Sequence, residues 1–309
     1  MPGSTILRSA LVCLAIALLS TTAHAQLFRA YLASDGDDNN PCTLQAPCRL
    51  LPTALNAVAS GGEIWMLDSA NYNTGAVTIG KSVSILAVPG VVGSIVALND
   101  GPAIGITASG LTISLRNVVI GPVAGATPGT HGVFMSGNST LTIENSLIAS
   151  LPNIGVAVSS AGVLKVINTL LRNNEWAIIV GNGASADISG SQMLRNTVGG
   201  VAVPGGAGST RVSVSDSIIT GPSEYGVLAL TDTGIGGTAQ ISVTRSTISH
   251  TDRALVCDGP TSTIFTGNNL IAYNQYAFYK DCPAIYTAGN NQFNANAGSS
   301  GAMTPLPLQ

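Results

Sequence analysis

The sequence predicts an all-β chain wound as a right-handed parallel β-helix, a solenoid with a short N-terminal capping helix. Three observations predict it. Short apolar–polar alternations recur through the chain at intervals of 22 to 29 residues. Glycine, asparagine and aspartate collect between them, where a corner needs positive φ. The 45% hydrophobic fraction is drawn mainly from Val, Ile, Leu and Ala, and its Val/Ile share points to strands and away from disorder.

The N-terminal 25 residues read as an export signal: Arg8 supplies the positive region, Leu11 to Leu19 the apolar run, and Ala23-His24-Ala25 a small-x-small cleavage site before Gln26. That run is too short to cross a bilayer, and no later segment is long enough. The expected location is therefore periplasmic or secreted, since no barrel domain or wall-sorting signal follows. Four cysteines remain after cleavage, Cys42, Cys48, Cys257 and Cys282. An even number in an oxidising compartment predicts two disulfides. Four cysteines permit three pairings; local geometry favours Cys42–Cys48 and Cys257–Cys282, the second across successive rungs. No CxxC spacing and no placed histidine supports a metal site, and no cofactor is expected. Twelve basic and fifteen acidic residues, net charge −3 and without a basic run, argue against nucleic acid as a partner.

Residues 26–61 read as an N-terminal cap. Pro47 to Ser60 carries Leu50, Leu51, Ala54, Leu55 and Val58 at helical spacing, which predicts an amphipathic helix over the open edge of the stack. Gly61-Gly62 is expected to end that helix, and Glu63 to Leu67 to be the first strand. The β-helix proper is placed at 62–296, with 297–309 as a loose tail.

Within the helix, Leu141–Ile148, Leu164–Leu171, Ala186–Met193, Val212–Ile219 and Ile241–Ile248 align. Each opens with the period-2 alternation of a strand buried on one face. An apolar landmark recurs at Ile120, Ile148, Leu171, Met193, Ile219, Ile248, Ile271 and Phe293. A small residue follows each one and opens a second alternating strand: Gly155, Ala177, Gly200, Gly226, Ala254 and Ala277. Stacked rungs place Ser146, Thr169, Ser191, Ser217 and Ser246 in one ladder, and Asn174, Asn196, Asn274 and Asn296 in another. Corner asparagines of this kind satisfy backbone groups.

This pattern resembles the pectin-lyase-like superfamily of right-handed β-helix proteins. Tyr31 to Cys42, Ala46-Pro-Cys-Arg49 and the stretch from Ala54 to Gly62 resemble the N-terminal cap of exported bacterial members of unassigned role. The resemblance implies the fold and leaves chemistry open. Its lyases, polygalacturonases and esterases use carboxylate clusters, paired aspartates or a Gly-His-Gly segment. Here Glu144, Asp187 and Asp216 are isolated, Thr130-His131-Gly132 is a fragment, and Asp37-Asp38 belongs to a cap loop, where turn formation or an adventitious Ca²⁺ is expected rather than catalysis. One constellation remains. The residue before each small landmark runs Ile154, Trp176, Gly199, Tyr225, Arg253, Tyr276, with Glu175, Glu224, Asp252, Arg195, His250 and Tyr273 close by. Trp176, Tyr225, Arg253, Tyr273 and Tyr276 are the expected carbohydrate contacts, since pyranose faces stack on rings. A cation–π ladder of Tyr225, Arg253 and Tyr276 that stiffens the corner is the structural reading of the same residues. His250, Asp252 and Arg253 are the candidates for catalysis, with His250 and Asp252 as an acid–base pair. The expected function is an exported, non-catalytic protein contacting polysaccharide or a cell-surface component. A polysaccharide lyase or glycoside hydrolase is the alternative, and a structural or adhesive module a further one.

Overall fold

A computed structural model describes residues 26–306 apart from 124 and 235; the expected export signal, residues 1–25, lies outside the described residues. The strands pair in parallel, rung upon rung. One face is a twelve-stranded sheet that runs from Leu27–Leu32 to Thr304–Pro305. An eighteen-stranded sheet supplies two more faces, because Ile218–Leu230 and Thr247–Asp258 run unbroken through the bend between them. A typical rung reads Thr140–Glu144 on face one, Leu147–Ala149 on face two and Ile154–Val158 on face three. Three corners join the faces. No helix among the described residues is long and apolar enough to cross a membrane.

The landmark residues form one column inside the coil. Ile120, Ile148, Leu171, Met193, Ile219, Ile248, Ile271 and Phe293 are in register from rung to rung. All are buried except Phe293, 45% exposed on the last rung. The small landmarks are small for a packing reason. A Cβ at Gly155, Gly200 or Gly226 would press on the carbonyl oxygen of Ala177, Gly226 or Ala254 in the next rung. A single rung cannot bury its apolar face, so the core exists only as the stack.

The first corner turns through one residue with positive φ on each rung: Asn117, Asn145, Asn168, Gly190, Asp216, Arg245 and Asn268. Next to it runs a hydroxyl ladder. The N–H groups of Val118, Ser146, Thr169, Ser191 and Ser217 donate to the side-chain oxygens of Ser146, Thr169, Ser191, Ser217 and Ser246, at 3.1 to 3.4 Å. Asn269 and Asn291 continue it. At the second corner Leu151, Asn174, Thr251 and Asn274 donate N–H to the side-chain oxygens of Asn174, Asn196, Asn274 and Asn296. Each amide nitrogen returns a bond to a strand carbonyl, Asn196 to Leu171 at 3.2 Å and Asn274 to Ile248 at 3.2 Å. The asparagines are backbone partners, as their corner positions suggest.

The cap differs from expectation in three respects. The helix spans only Leu51–Ala57; Pro52 sits in its first turn, where a missing N–H costs nothing. From Val58 the chain is already extended, so Gly61-Gly62 lies inside the strand Val58–Met66 and does not end the helix. The first strand is Leu27–Leu32, whose Arg29, Ala30, Tyr31 and Leu32 pair with Glu63, Ile64, Trp65 and Met66. Gly61, at φ +83, absorbs the register shift between Leu27 and Arg29. The stretch expected as a loose tail also carries strands, Gly298–Ser300 and Thr304–Pro305, paired with the preceding rung. The disulfides are Cys42–Cys48 and Cys257–Cys282, the second joining successive rungs.

Polar groups hold the cap. Asp38 accepts the N–H groups of Arg49 and Leu50, and Asp37 that of Asn39, which makes them turn residues. Asp68 accepts Ser34 N–H, Ser34 Oγ and the Tyr72 hydroxyl. Burial works against its charge, but these hydrogen bonds outweigh it and hold the carboxyl below its ordinary value. A depressed carboxylate stabilises the fold above its unfolded pKa of about 4; that contribution disappears as pH falls through the lower folded value. Thermal unfolding between pH 7 and pH 2 is therefore expected to show an acid-side loss of stability that shrinks in Asp68→Asn; an unaltered acid limb would count against the assignment. Asn196→Ala leaves the Asn174 N–H without its acceptor in a buried corner. An orphaned group of this kind costs roughly 1–3 kcal/mol, and a lowered urea midpoint checks it.

Candidate functional site

Face three carries the strip read from the sequence. Ile154, Trp176, Gly199, Tyr225, Arg253 and Tyr276 are in register. The column three residues on is also apolar, Phe134, Ala157, Ile179, Ala202, Leu228, Val256 and Tyr279 in register, with Ala157, Ala202 and Val256 buried. Face one is different, with Lys165, Asp187, Ser213 and Ser242 at matched outward positions. The same column on face one continues to Phe265 and Tyr286, which stack at 5.1 Å, so that face is polar in its middle rungs and aromatic towards its C-terminal end.

The Trp176 ring lies on Gly199. A Cβ there would overlap three consecutive ring atoms, with Cε3 and Cη2 nearly equidistant at 2.6 and 2.7 Å. Near-equal distances of that size mean that the glycine meets the ring by its face. The opposite face of the indole is thus directed away from the sheet. The Tyr225 ring, on the rung beyond, is parallel to it, with 7° between planes and ring centres 5.9 Å apart, an offset-parallel arrangement. The Arg253 guanidinium sits 5.5 Å from the Tyr225 ring centre and 5.5 Å from that of Tyr279. It is also ion-paired with Asp252 at 3.3 Å. The expected Tyr225–Arg253–Tyr276 ladder is corrected in its last member. Tyr279, three residues later on the same strand, takes that place, because its outward position brings the ring beside the guanidinium. Tyr276 stays in the strip, half-buried.

The second corner carries the remaining candidates. Its turning residues are Ser150, Asn173, Arg195, Gly221, His250, Tyr273 and Ala295, all with positive φ. Their backbone N–H groups reach the next rung, Arg195 to Thr220 and Tyr273 to Asn294, and this pairing holds long side chains in a conformation they rarely adopt. His250 and Tyr273 stack at 5.4 Å with 23° between planes, and Tyr273 is 57% exposed. His250 also faces a cavity of about 700 Å³ whose other walls include Arg172, Arg195, Thr220 and Gly221. His250 and Asp252 form no hydrogen bond or ion pair. Asp252 lies beyond buried Thr251 and is held by Arg253, so the expected acid–base pair is not assembled.

Glu144, Asp216 and His131 have structural partners. Glu144 pairs with Arg116 at 2.9 Å, and Asp216 with Arg245 through two bonds of 2.8 Å. Burial lowers the His131 pKa, and its ring packs against Phe134. Sequence reasoning missed Tyr279, the role of Gly199, and the second-corner cavity. The first two were signalled by the alternation on face three; the cavity depends on which corner side chains share a space.

Residues 91–237 match the family model described as a right handed beta helix region. The fold is a right-handed parallel β-helix. Solved β-helix structures superpose on most of the chain. Pectate lyase Pel9A matches at 16% identity and TM-score 0.60, over 91% of this chain and 80% of that one. The alginate lyase from Paenibacillus sp. str. FPU-7 matches at 13% identity and TM-score 0.66, over 90% and 100%. The GH136 lacto-N-biosidase from Eubacterium ramulus matches at 12% identity and TM-score 0.57, over 90% and 67%. At such identities the likeness carries the β-helix alone. No curated protein matches the chain in sequence.

Gly199→Ala tests the site's geometry. The added methyl must displace the Trp176 ring, with overpacking of about 1–3 kcal/mol. With only two tryptophans in the chain, a shifted fluorescence maximum against an unchanged far-ultraviolet circular dichroism spectrum is expected. An unshifted emission would show that the ring does not cover Gly199.

Proposed function

We propose that the mature chain is an exported, non-catalytic β-helix protein that binds polysaccharide along face three, through Trp176, Tyr225, Arg253, Tyr273 and Tyr276. The observation that carries this reading is the Trp176–Tyr225 stack: two parallel rings with 7° between their planes and centres 5.9 Å apart, one of them laid on a glycine. A pyranose ring has apolar C–H faces that stack on such a surface while its hydroxyls bond at the edge. Arg253 is pinned by Asp252 and two tyrosines, so it offers edge donors at a fixed place with little ordering cost on binding.

Further support comes from the company the fold keeps. The pectate lyase, alginate lyase and lacto-N-biosidase that share it are named for action on carbohydrate. The non-catalytic part of the reading rests on the separation of His250 from Asp252. Export is supported by the two disulfides, which persist in oxidising compartments.

The test is binding of the purified mature protein to a broad polysaccharide array beside Trp176→Ala/Tyr225→Ala. Each aromatic contact contributes about 0.5–1.5 kcal/mol beyond its buried area, so the double variant is expected to bind at least roughly tenfold more weakly. Binding that survives the double variant unchanged removes the strip from the site. Breakdown of a bound glycan by the wild type overturns the non-catalytic role.

A further inference from the structure

We propose that face one carries a second saccharide site, where the free face of Phe265 stacks an uncharged pyranose ring above Ser242, so that one molecule holds two glycan chains. That the occupant is a saccharide rests partly on the reading above; the site itself rests on face one alone.

Asp187, Ser213, Ser242, Phe265 and Tyr286 form one outward column, each in register with the next. The two rings stack with centres 5.1 Å apart and 16° between planes. That separation is close to the rung spacing of about 4.8 Å, so the pair stacks along the coil axis and Tyr286 covers one face of Phe265. The other face looks back towards Ser242, and a cavity of about 250 Å³ lies there. Phe265 walls it at one end and Asp187 at the other, with Ser213 and Ser242 between them; Tyr286 takes no part in it. From Phe265 to Asp187 is three rungs, roughly 14 Å at that spacing. The column thus builds two rings and leaves the next two places to serine, whose side chain is too short to fill them.

The rim has hydrogen-bonding capacity to spare. Arg211 Nε donates to the Gln240 side-chain oxygen at 3.2 Å, and both residues flank the cavity. That bond fixes the pair and leaves the Arg211 terminal nitrogens and the Gln240 amide nitrogen without a partner among the described residues. Asp187 forms no ion pair among those residues, although Lys165 precedes it in the column. A pyranose has apolar C–H faces and a rim of hydroxyls. One face laid on Phe265 takes the place of the missing ring. The hydroxyls then meet Ser213, Ser242 and Asp187 as acceptors, and Gln240 and Arg211 as donors. An aromatic ligand would cover Phe265 equally well but would leave those polar groups unsatisfied. Asp187 repels a carboxylate and Arg211 an ammonium group, so the ring that suits both is uncharged. No residue is shared with the strip on face three, and the two sites fill independently.

Calorimetric titration with cellotriose, mannotriose and galactotriose, and with trigalacturonic acid as the charged control, tests the site. The mature protein is compared with Phe265→Ala, Asp187→Asn, Trp176→Ala/Tyr225→Ala, and Thr142→Ala, which lies in the same column two rungs before Asp187. The expected result is a neutral trisaccharide that binds the wild type at two sites. Phe265→Ala and Asp187→Asn each weaken one site by about tenfold or more and leave the other, which Trp176→Ala/Tyr225→Ala weakens. Thr142→Ala changes neither. Asp187 is exposed, so a loss in Asp187→Asn reports on the site and not on folding. A single wild-type site that Trp176→Ala/Tyr225→Ala removes overturns the proposal. So do two sites that Phe265→Ala leaves untouched, an equal loss in Thr142→Ala, or no binding of any neutral trisaccharide. Trigalacturonic acid held at this site as tightly as the neutral sugar overturns the uncharged preference. If Trp176→Ala/Tyr225→Ala weakens nothing while Phe265→Ala removes a site, the strip reading fails and the face-one site stands.

Discussion

Everything in this molecule depends on the axial hydrogen bonds between like positions of successive rungs. In a parallel stack the strands supply such bonds automatically, but each corner would leave peptide groups without partners. Here the corners are solved by repetition. A residue with positive φ turns the chain, its N–H reaches the next rung, and a hydroxyl or amide beside it takes the neighbouring N–H. Because the partner is always one rung away, the solution must recur on every rung. Asn269 can follow a series of serines, because what is required is an oxygen at a given height.

That requirement divides the side chains into two populations. Inward and corner-ladder positions are committed to the stack: the aliphatic column to packing, the ladders to buried N–H groups. Outward positions carry no such duty and are free to differ between faces. Face one uses that freedom for charge pairs across rungs, such as Arg116 with Glu144. Face three uses it for aromatic and aliphatic side chains.

The fold was legible because its constraint is periodic. Ile148, Leu171 and Met193 could be aligned by eye, and the Ser191 and Asn196 ladders follow from the same spacing. Where periodicity stops, the reading weakened. Leu27–Leu32 is a strand only because Val58–Met66 lies beside it, and its six residues have no repeat to betray them. Gly61-Gly62 looks like a helix stop but serves to shift register within a strand. At the site, the column containing Trp176, Tyr225 and Arg253 was visible, since it is one position in the repeat. That Tyr279 completes the cation–π contact was not visible, because contact depends on rotamers and not on spacing. The pairing of His250 with Asp252 failed for a related reason: two residues apart across a sharp corner are close in sequence but are committed to different neighbours.

A rigid stack has a further consequence for recognition. Its rungs repeat at about 4.8 Å, and the in-register pairing from Ile154 to Tyr276 fixes each outward side chain along that scale. A ligand contacting Trp176 and Arg253 must span three rungs, roughly 14 Å at that spacing, without help from a closing loop. Binding on such a surface gains little from induced fit and loses little to ordering. Trp176 is held by Gly199 and Tyr225, and Arg253 by Asp252, Tyr225 and Tyr279, before any ligand arrives. Self-stacking and ligand binding are therefore not competing explanations of the strip: contacts that stiffen the side chains also keep their outward surfaces in place.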